Sequence, residues 1–196
     1  TIRYNQAISA GSPLRQLMAI GAQGGSPRVL ATPESSSAET YRFPTLLPDR
    51  RTVLFTIRTR DTDRLAALDL HSGRITRFEQ LGSDPNYVEP GYVVLGNRDG
   101  SVVAVPFDLG RRLPSGLPVT IVSDAIVDPV GTLLAGVSAD GHIVYAQRGA
   151  VSDRHLTVVG RDGRSSDVPG APRGFAGPRF SPDGRRLAVG VGEAGG

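Results

Sequence analysis

The chain has 196 residues, 39% hydrophobic and 21% charged, which is enough apolar material for a packed core and too little charge bias for a disordered chain. Its 25 Gly and 15 Pro argue against long helices, and the absence of Cys removes disulfides, thiolate catalysis, zinc ribbons and iron–sulfur clusters. All 22 basic residues are Arg, scattered singly or in pairs at turns (Arg50–Arg51, Arg111–Arg112, Arg185–Arg186), and the formal charge is only +3. A nucleic-acid footprint would be a clustered stripe with aromatics interleaved, so these arginines read as solvated turns and no nucleic-acid partner is expected.

Taken in chain order, the sequence reads as short strands and tight turns. Residues 16–20 form an apolar strand that leads through Gln23-Gly24-Gly25 into a polar strand at 28–30. A polar join with Pro33 follows, and then residues 44–55 give strand, Pro48-Asp49-Arg50 turn and apolar strand. The hairpin 64–78 turns at His71-Ser72-Gly73. Residues 87–95 are a weaker copy of strand–turn–strand, and 101–107 is a further strand with a long tip through Arg111 to Pro118. Residues 136–145 carry the turn Ala139-Asp140-Gly141, residues 155–164 turn at Arg161-Asp162-Gly163, and residues 178–189 carry Pro182-Asp183-Gly184.

These segments are copies of one unit. Asp49, Asp140 and Asp183 are spaced 91 and 43 residues apart, so one repeat is about 43–46 residues, the length of a four-stranded propeller blade. The turn has a mechanism: Pro presets φ at the first corner, Asp bonds back to the backbone, and Gly takes the positive φ. Pro48, Asp49, Asp140, Gly141, Pro182, Asp183 and Gly184 are therefore structural turn residues, and Arg50, standing where the other copies have Gly, is expected to strain or reshape its turn. The expected units are 1–31 as the end of a blade, 41–80, 86–123 and 131–168 as full blades, and 174–191 as the first half of another. The expected architecture is all-β, a β-propeller of four-stranded antiparallel blades, present as an incomplete fragment of about four blade equivalents.

The stretch 180–188, Phe-Ser-Pro-Asp-Gly-Arg-Arg-Leu-Ala, resembles the repeat of TolB-type propellers, WD-like repeats without Trp-Asp. Segments 24–31, 41–59 and 158–164 resemble a narrower group, the propeller region following the membrane span of bacterial membrane-anchored serine/threonine protein kinases. The resemblance implies a non-catalytic binding or scaffold module with a protein or peptide partner, in a periplasmic or extracytoplasmic setting. Its alternatives are a propeller gating a serine peptidase of the α/β-hydrolase type and a free periplasmic TolB-like scaffold. The chain opens on Thr1 and stops just after an apolar strand, which reads as an excerpt of a longer polypeptide.

Chemistry is sparse. Phosphoryl transfer needs a Lys on the phosphates, and the chain has no Lys. Gly190 to Gly195 satisfies Gly-x-Gly-x-x-Gly but belongs to a β repeat rather than a βαβ unit, so no dinucleotide and no other cofactor is expected. Gly136-Val137-Ser138-Ala139-Asp140 lacks the closing Gly of a nucleophile elbow, and Ser181 occupies the equivalent turn. His71, His142 and His155 sit at turns or strand edges without metal-ligand spacing, Asp61-Thr62-Asp63 reads as a polar hairpin tip, and no metal is expected. No stretch approaches the ~20 apolar residues of a membrane span, so no membrane insertion by this segment is expected.

The binding surface is expected at a channel rim, where each innermost strand is entered. Aligning Pro44 with Pro178 sets Tyr41 opposite Phe175 and Arg42 opposite Ala176, with Arg173 nearby. An aromatic and Arg rim suits anionic or peptide ligands. The competing reading is that Tyr41 and Phe175 pack between blades.

Overall fold

A computed structural model describes residues 2–7, 15–128, 131–138, 141–146, 156–160, 162–170, 174–181 and 184–192. Among them every regular element is a β-strand and none is a helix. The first sheet has three strands, β1 (Ile2–Ala7), β2 (Arg15–Gly21) and β3 (Gly24–Ala31), in that spatial order. The second is a four-stranded meander of β4 (Thr40–Leu46), β5 (Thr52–Arg58), β6 (Asp63–Asp69) and β7 (Ile75–Leu81). The third comprises β8 (Ser83–Val88), β9 (Tyr92–Gly96) and β10 (Val102–Asp108), with β11 (Leu113–Pro114) and β12 (Val119–Val122) both pairing with β10. The fourth is again a four-stranded meander: β13 (Ala135–Val137), β14 (Ile143–Ala146), β15 (Leu156–Val159) and β16 (Ser165–Asp167). The hairpin of β17 (Gly174–Phe180) and β18 (Leu187–Gly192) closes the order. The strand pairs with a recorded register are all antiparallel, as short turns require.

Two compact units divide the chain, Thr1–Pro85 with Phe107–Ser115, and Asn86–Pro106 with Gly116–Gly196. In the first, Leu17 of β2 packs with Tyr41, Val53, Phe55, Ile57, Ala66 and Leu68 of the second sheet. Strand β5 is buried on both faces through Ile57, which explains why Thr-Val-Leu-Phe-Thr-Ile runs without the polar alternation of a half-exposed strand. Outer strand β7 buries only Phe78. Withdrawing Phe55 from water contributes about 2–3 kcal/mol. In the second unit a separate core joins Val88, Val94, Val102 and Val122 to Leu133, Ala135, Ile143 and Tyr145.

One turn geometry recurs through both units. The N–H of Arg50 donates to the carbonyl of Leu47, and the same i+3 to i bond joins Gly100 to Asn97, Gly131 to Asp128, Gly141 to Ser138, Gly163 to Gly160 and Gly184 to Ser181. Each of these final residues has positive φ, from 55° at Arg50 to 93° at Gly100. An i+3 to i bond closed by a left-handed residue is the pattern of the three-residue hairpin. The carboxylate of Asp49 accepts the N–H of Arg51 at 3.0 Å, the N–H of Thr52 at 2.9 Å and the Thr52 hydroxyl at 2.6 Å. Gly141 and Gly184 occupy the left-handed position that the repeat assigns them, while Asp140, Pro182 and Asp183 lie outside the described residues. The turns at 97–100 and 128–131 escape a search keyed to Pro-Asp-Gly, because they read Asn-Arg-Asp-Gly and Asp-Pro-Val-Gly.

The first strands of two sheets share a second irregularity. The β4–β5 register shifts between Arg42 and Thr45, and the β17–β18 register shifts between Ala176 and Arg179. Pro44 and Pro178 sit inside those bulges, where a residue without an N–H costs no ladder bond. Phe43 adopts φ 52° at the first of them.

Candidate functional site

The tip of β10 is the element that builds a site. Asp108 accepts the N–H of Arg111 on its side chain at 2.8 Å and the N–H of Arg112 on its carbonyl at 2.7 Å. Arg112 therefore takes a left-handed backbone, φ 59°, a conformation that costs a non-Gly residue roughly 1–2 kcal/mol. The tip is seated by Phe107, whose ring meets Phe78 of β7 edge to face with centroids 6.4 Å apart.

In this seating the tip and the outer half of the second sheet enclose an open groove of about 890 Å³. Its charged lining is Arg51 just before β5, Asp69 at the end of β6, Arg74 just before β7, Glu79 on β7, and Arg111 and Arg112 on the tip. Asp69 organises one side. Its Oδ2 accepts from Arg51 Nε at 2.9 Å and Nη2 at 2.7 Å, and from Arg112 Nη1 at 3.1 Å. Its Oδ1 accepts the N–H groups of His71 at 2.8 Å and Ser72 at 3.1 Å. The Arg51 guanidinium, with help from those two backbone N–H groups, holds the Asp69 carboxyl well below the usual carboxylate range, against a smaller opposing effect of burial. Glu79 is drawn outward to Arg64, Nη1 to Oε2 at 2.8 Å. Arg74 and Arg111 are exposed, and neither side chain forms an ion pair among the described residues. The groove thus holds four guanidiniums against two carboxylates, each of the two already engaged by arginine.

The rim residues expected from the sequence are not part of this groove. Tyr41 is 3% exposed with its ring 5.0 Å from Phe55, inside the core of the first unit, and burial raises its phenol pKa. Arg42 is half-buried on the same strand, Phe175 is half-buried on β17, and Arg173 lies outside the described residues. The groove arginines were visible in the sequence only as turn residues. The signal that could have found them is positional, since Arg51, Arg74, Arg111 and Arg112 all sit at or just after hairpin turns.

The remaining chemical candidates fall into structural places. His71 and His142 are exposed at turns, and His155 lies outside the described residues. Ser138 Oγ accepts the His142 N–H at 2.9 Å, and Ser181 Oγ accepts the Arg186 N–H at 2.9 Å, so both hydroxyls close turns. Asp162 accepts the Arg164 N–H at 3.1 Å next to Gly163 at φ 76°, so Asp162 and Gly163 are turn residues. Thr59 and Thr62 close the tip ahead of β6, and Asp63 is buried within 3.7 Å of Arg58. Gly190 and Gly192 pair with β17. Among the described residues no three His, Cys, Asp or Glu side chains are grouped to hold a metal ion, and no helix is long and apolar enough to cross a membrane.

No protein-family model matches the chain, and no curated protein matches it by sequence. Solved structures do. TolB from Acinetobacter baumannii matches with a TM-score of 0.69 at 17% identity, covering 91% of this chain and 43% of that protein. A TolB-type protein of Agrobacterium tumefaciens matches with a TM-score of 0.69 at 16% identity, over 97% of this chain and 70% of its own. Regucalcin, a calcium-binding protein from Agrobacterium tumefaciens, matches with a TM-score of 0.58 at 20% identity, over 94% of this chain and 66% of its own. This chain therefore spans less than half the length of the Acinetobacter TolB. At such identities the likeness is one of fold, and the fold is an all-β propeller type with antiparallel four-stranded sheets, similar to that of TolB.

Proposed function

We propose that this chain is a non-catalytic propeller module that binds a protein or peptide partner. The observation that carries the reading is the groove at the β10 tip, where the guanidiniums of Arg51, Arg74, Arg111 and Arg112 converge beside the apolar side chains of Phe78, Leu113 and Pro114. Binding on loops and turns held by a rigid β-scaffold is what such folds offer. A search of random displayed peptides against the full chain, followed by calorimetry on enriched sequences, tests it. Convergent sequences with saturable binding support the reading, and the absence of any enriched, saturable peptide overturns it.

The narrower reading is a sensor or protein-interaction region of a membrane-anchored serine/threonine protein kinase. It is supported by the resemblance of segments 24–31, 41–59 and 158–164. The full gene product tests it. A kinase domain and a single apolar span preceding Thr1 support it, whereas a Gly-x-Ser-x-Gly peptidase domain following Gly196, or a signal peptide with no further domain, overturns it.

A further inference from the structure

Resting on the binding-module reading, we propose that the groove at the β10 tip receives an acidic peptide segment of its partner. The Asp or Glu carboxylates would be held by Arg74 and Arg111 and the aliphatic portions laid along Leu113 and Pro114.

Three observations point to this ligand. The first is charge: the groove carries twice as many guanidiniums as carboxylates, and the two carboxylates are spent on Arg51, Arg112 and Arg64. Arg74 and Arg111 keep their planar forks for an incoming carboxylate, which they can grip bidentately. The second is preorganisation. Asp69 fixes Arg51 and Arg112, and the left-handed backbone of Arg112 is a strained arrangement held by Asp108 and the seated tip. A positive wall that is already ordered loses less entropy when a ligand arrives. The third is the character of the remaining lining. Leu113 and Pro114 are half-buried and apolar, Thr76 and Gln80 offer hydrogen bonds, and the lining aromatic, Phe78, is buried. Nucleic acid would ask for exposed aromatic platforms, which the groove lining does not offer.

The test is fluorescence anisotropy with the full chain and two labelled peptides, one alternating Glu with Leu and Val, the other its Gln counterpart. The Glu peptide is expected to bind at least about tenfold more tightly than the Gln peptide and to weaken as salt screens the charges. Arg74→Gln combined with Arg111→Gln should weaken the Glu peptide by about tenfold, while Arg28→Gln on exposed β3 changes nothing. Arg74→Glu combined with Arg111→Glu should transfer preference to a Lys version of the peptide, a gain that misfolding does not produce. If enriched peptides from the display search bind but are insensitive to all groove variants, the binding-module reading stands and this inference falls. If oligothymidylate binds the same arginines as tightly as the Glu peptide, the peptide assignment falls. If neither the display search nor these peptides give saturable binding, both readings fall.

Discussion

Asp69 and Arg112 are 43 residues apart in sequence, and Asp69 Oδ2 accepts a hydrogen bond from Arg112 Nη1 at 3.1 Å. The contact joins the end of one hairpin strand to the tip of another, and Arg51 completes it from a third segment at 2.7 Å. A single carboxylate thereby orders two guanidiniums on the groove wall.

The ionisation of Asp69 should report that arrangement. Its carboxyl is depressed in the folded chain, chiefly by the Arg51 hydrogen bond, relative to an ordinary Asp near 3.9. The sign follows from linkage: the contribution is fully present above the unfolded value and is lost as pH falls through the lower folded value. A carbon-detected NMR titration should find the Asp69 midpoint below that of a free Asp. Asp69→Asn should free the Arg51 Nε–H and Arg112 Nη1–H resonances without unfolding the chain. An ordinary midpoint would show that the three-residue cluster does not persist in solution.

The left-handed corners of the turns give opposite mutational signs. Gly100 at φ 93° and Gly184 at φ 68° should each lose about 1–3 kcal/mol on change to Val, because a β-branched side chain does not tolerate that conformation. Arg50 at φ 55° already carries this cost, so Arg50→Gly should be neutral or stabilising by up to about 1 kcal/mol. Urea unfolding of the three variants measures this, and equal effects at all three positions would contradict it.

Asp49 closes its turn with three accepted hydrogen bonds, two from backbone N–H groups and one from the Thr52 hydroxyl. Burial pushes its carboxyl pKa up, but the Thr52 and Arg51 bonds outweigh that and leave it lowered. Asp49→Ala should destabilise by about 1–2 kcal/mol, and Asp49→Asn by less, since the amide oxygen still accepts. Thermal melts of the pair provide the check.

Gly136 on β13 faces the backbone of β17 so closely that a Cβ would lie 2.6 Å from the Pro178 carbonyl oxygen. Gly136→Ala must displace one strand, at an expected cost of about 1–3 kcal/mol. Hydrogen exchange should show the loss in β13 and β17 and leave β5 and β6 protected. Unchanged exchange in β17 would mean that the two strands do not meet this way.

What the sequence alone determined about this protein is local. Strand and turn alternation, the repeat length and the left-handed corner all follow from chemistry acting within a few residues. The left-handed corner forms at Gly141 and Gly184 as the repeat requires, and even the departure at Arg50 kept the turn and its positive φ. The turns at 97–100 and 128–131 were hidden because their left-handed Gly follows different side chains, although the backbone bond is the same. Tyr41 shows where local reading ends. Its place in the repeat fixes its strand, but burial against Phe55 depends on a neighbouring strand 14 residues on, which no turn rule encodes.

Only the tertiary structure decided the groove. Arg111 and Arg112 in sequence are a basic pair on a long tip, indistinguishable from Arg185 and Arg186. The Phe107–Phe78 contact brings that tip against β7, and Asp69 then gathers Arg51 and Arg112 from segments far apart along the chain. Local propensity sets where a turn forms and which way its side chains start. Which charges end up facing one another depends on how hydrophobic faces pack, a long-range term that sums over many residues and leaves no motif at any one of them.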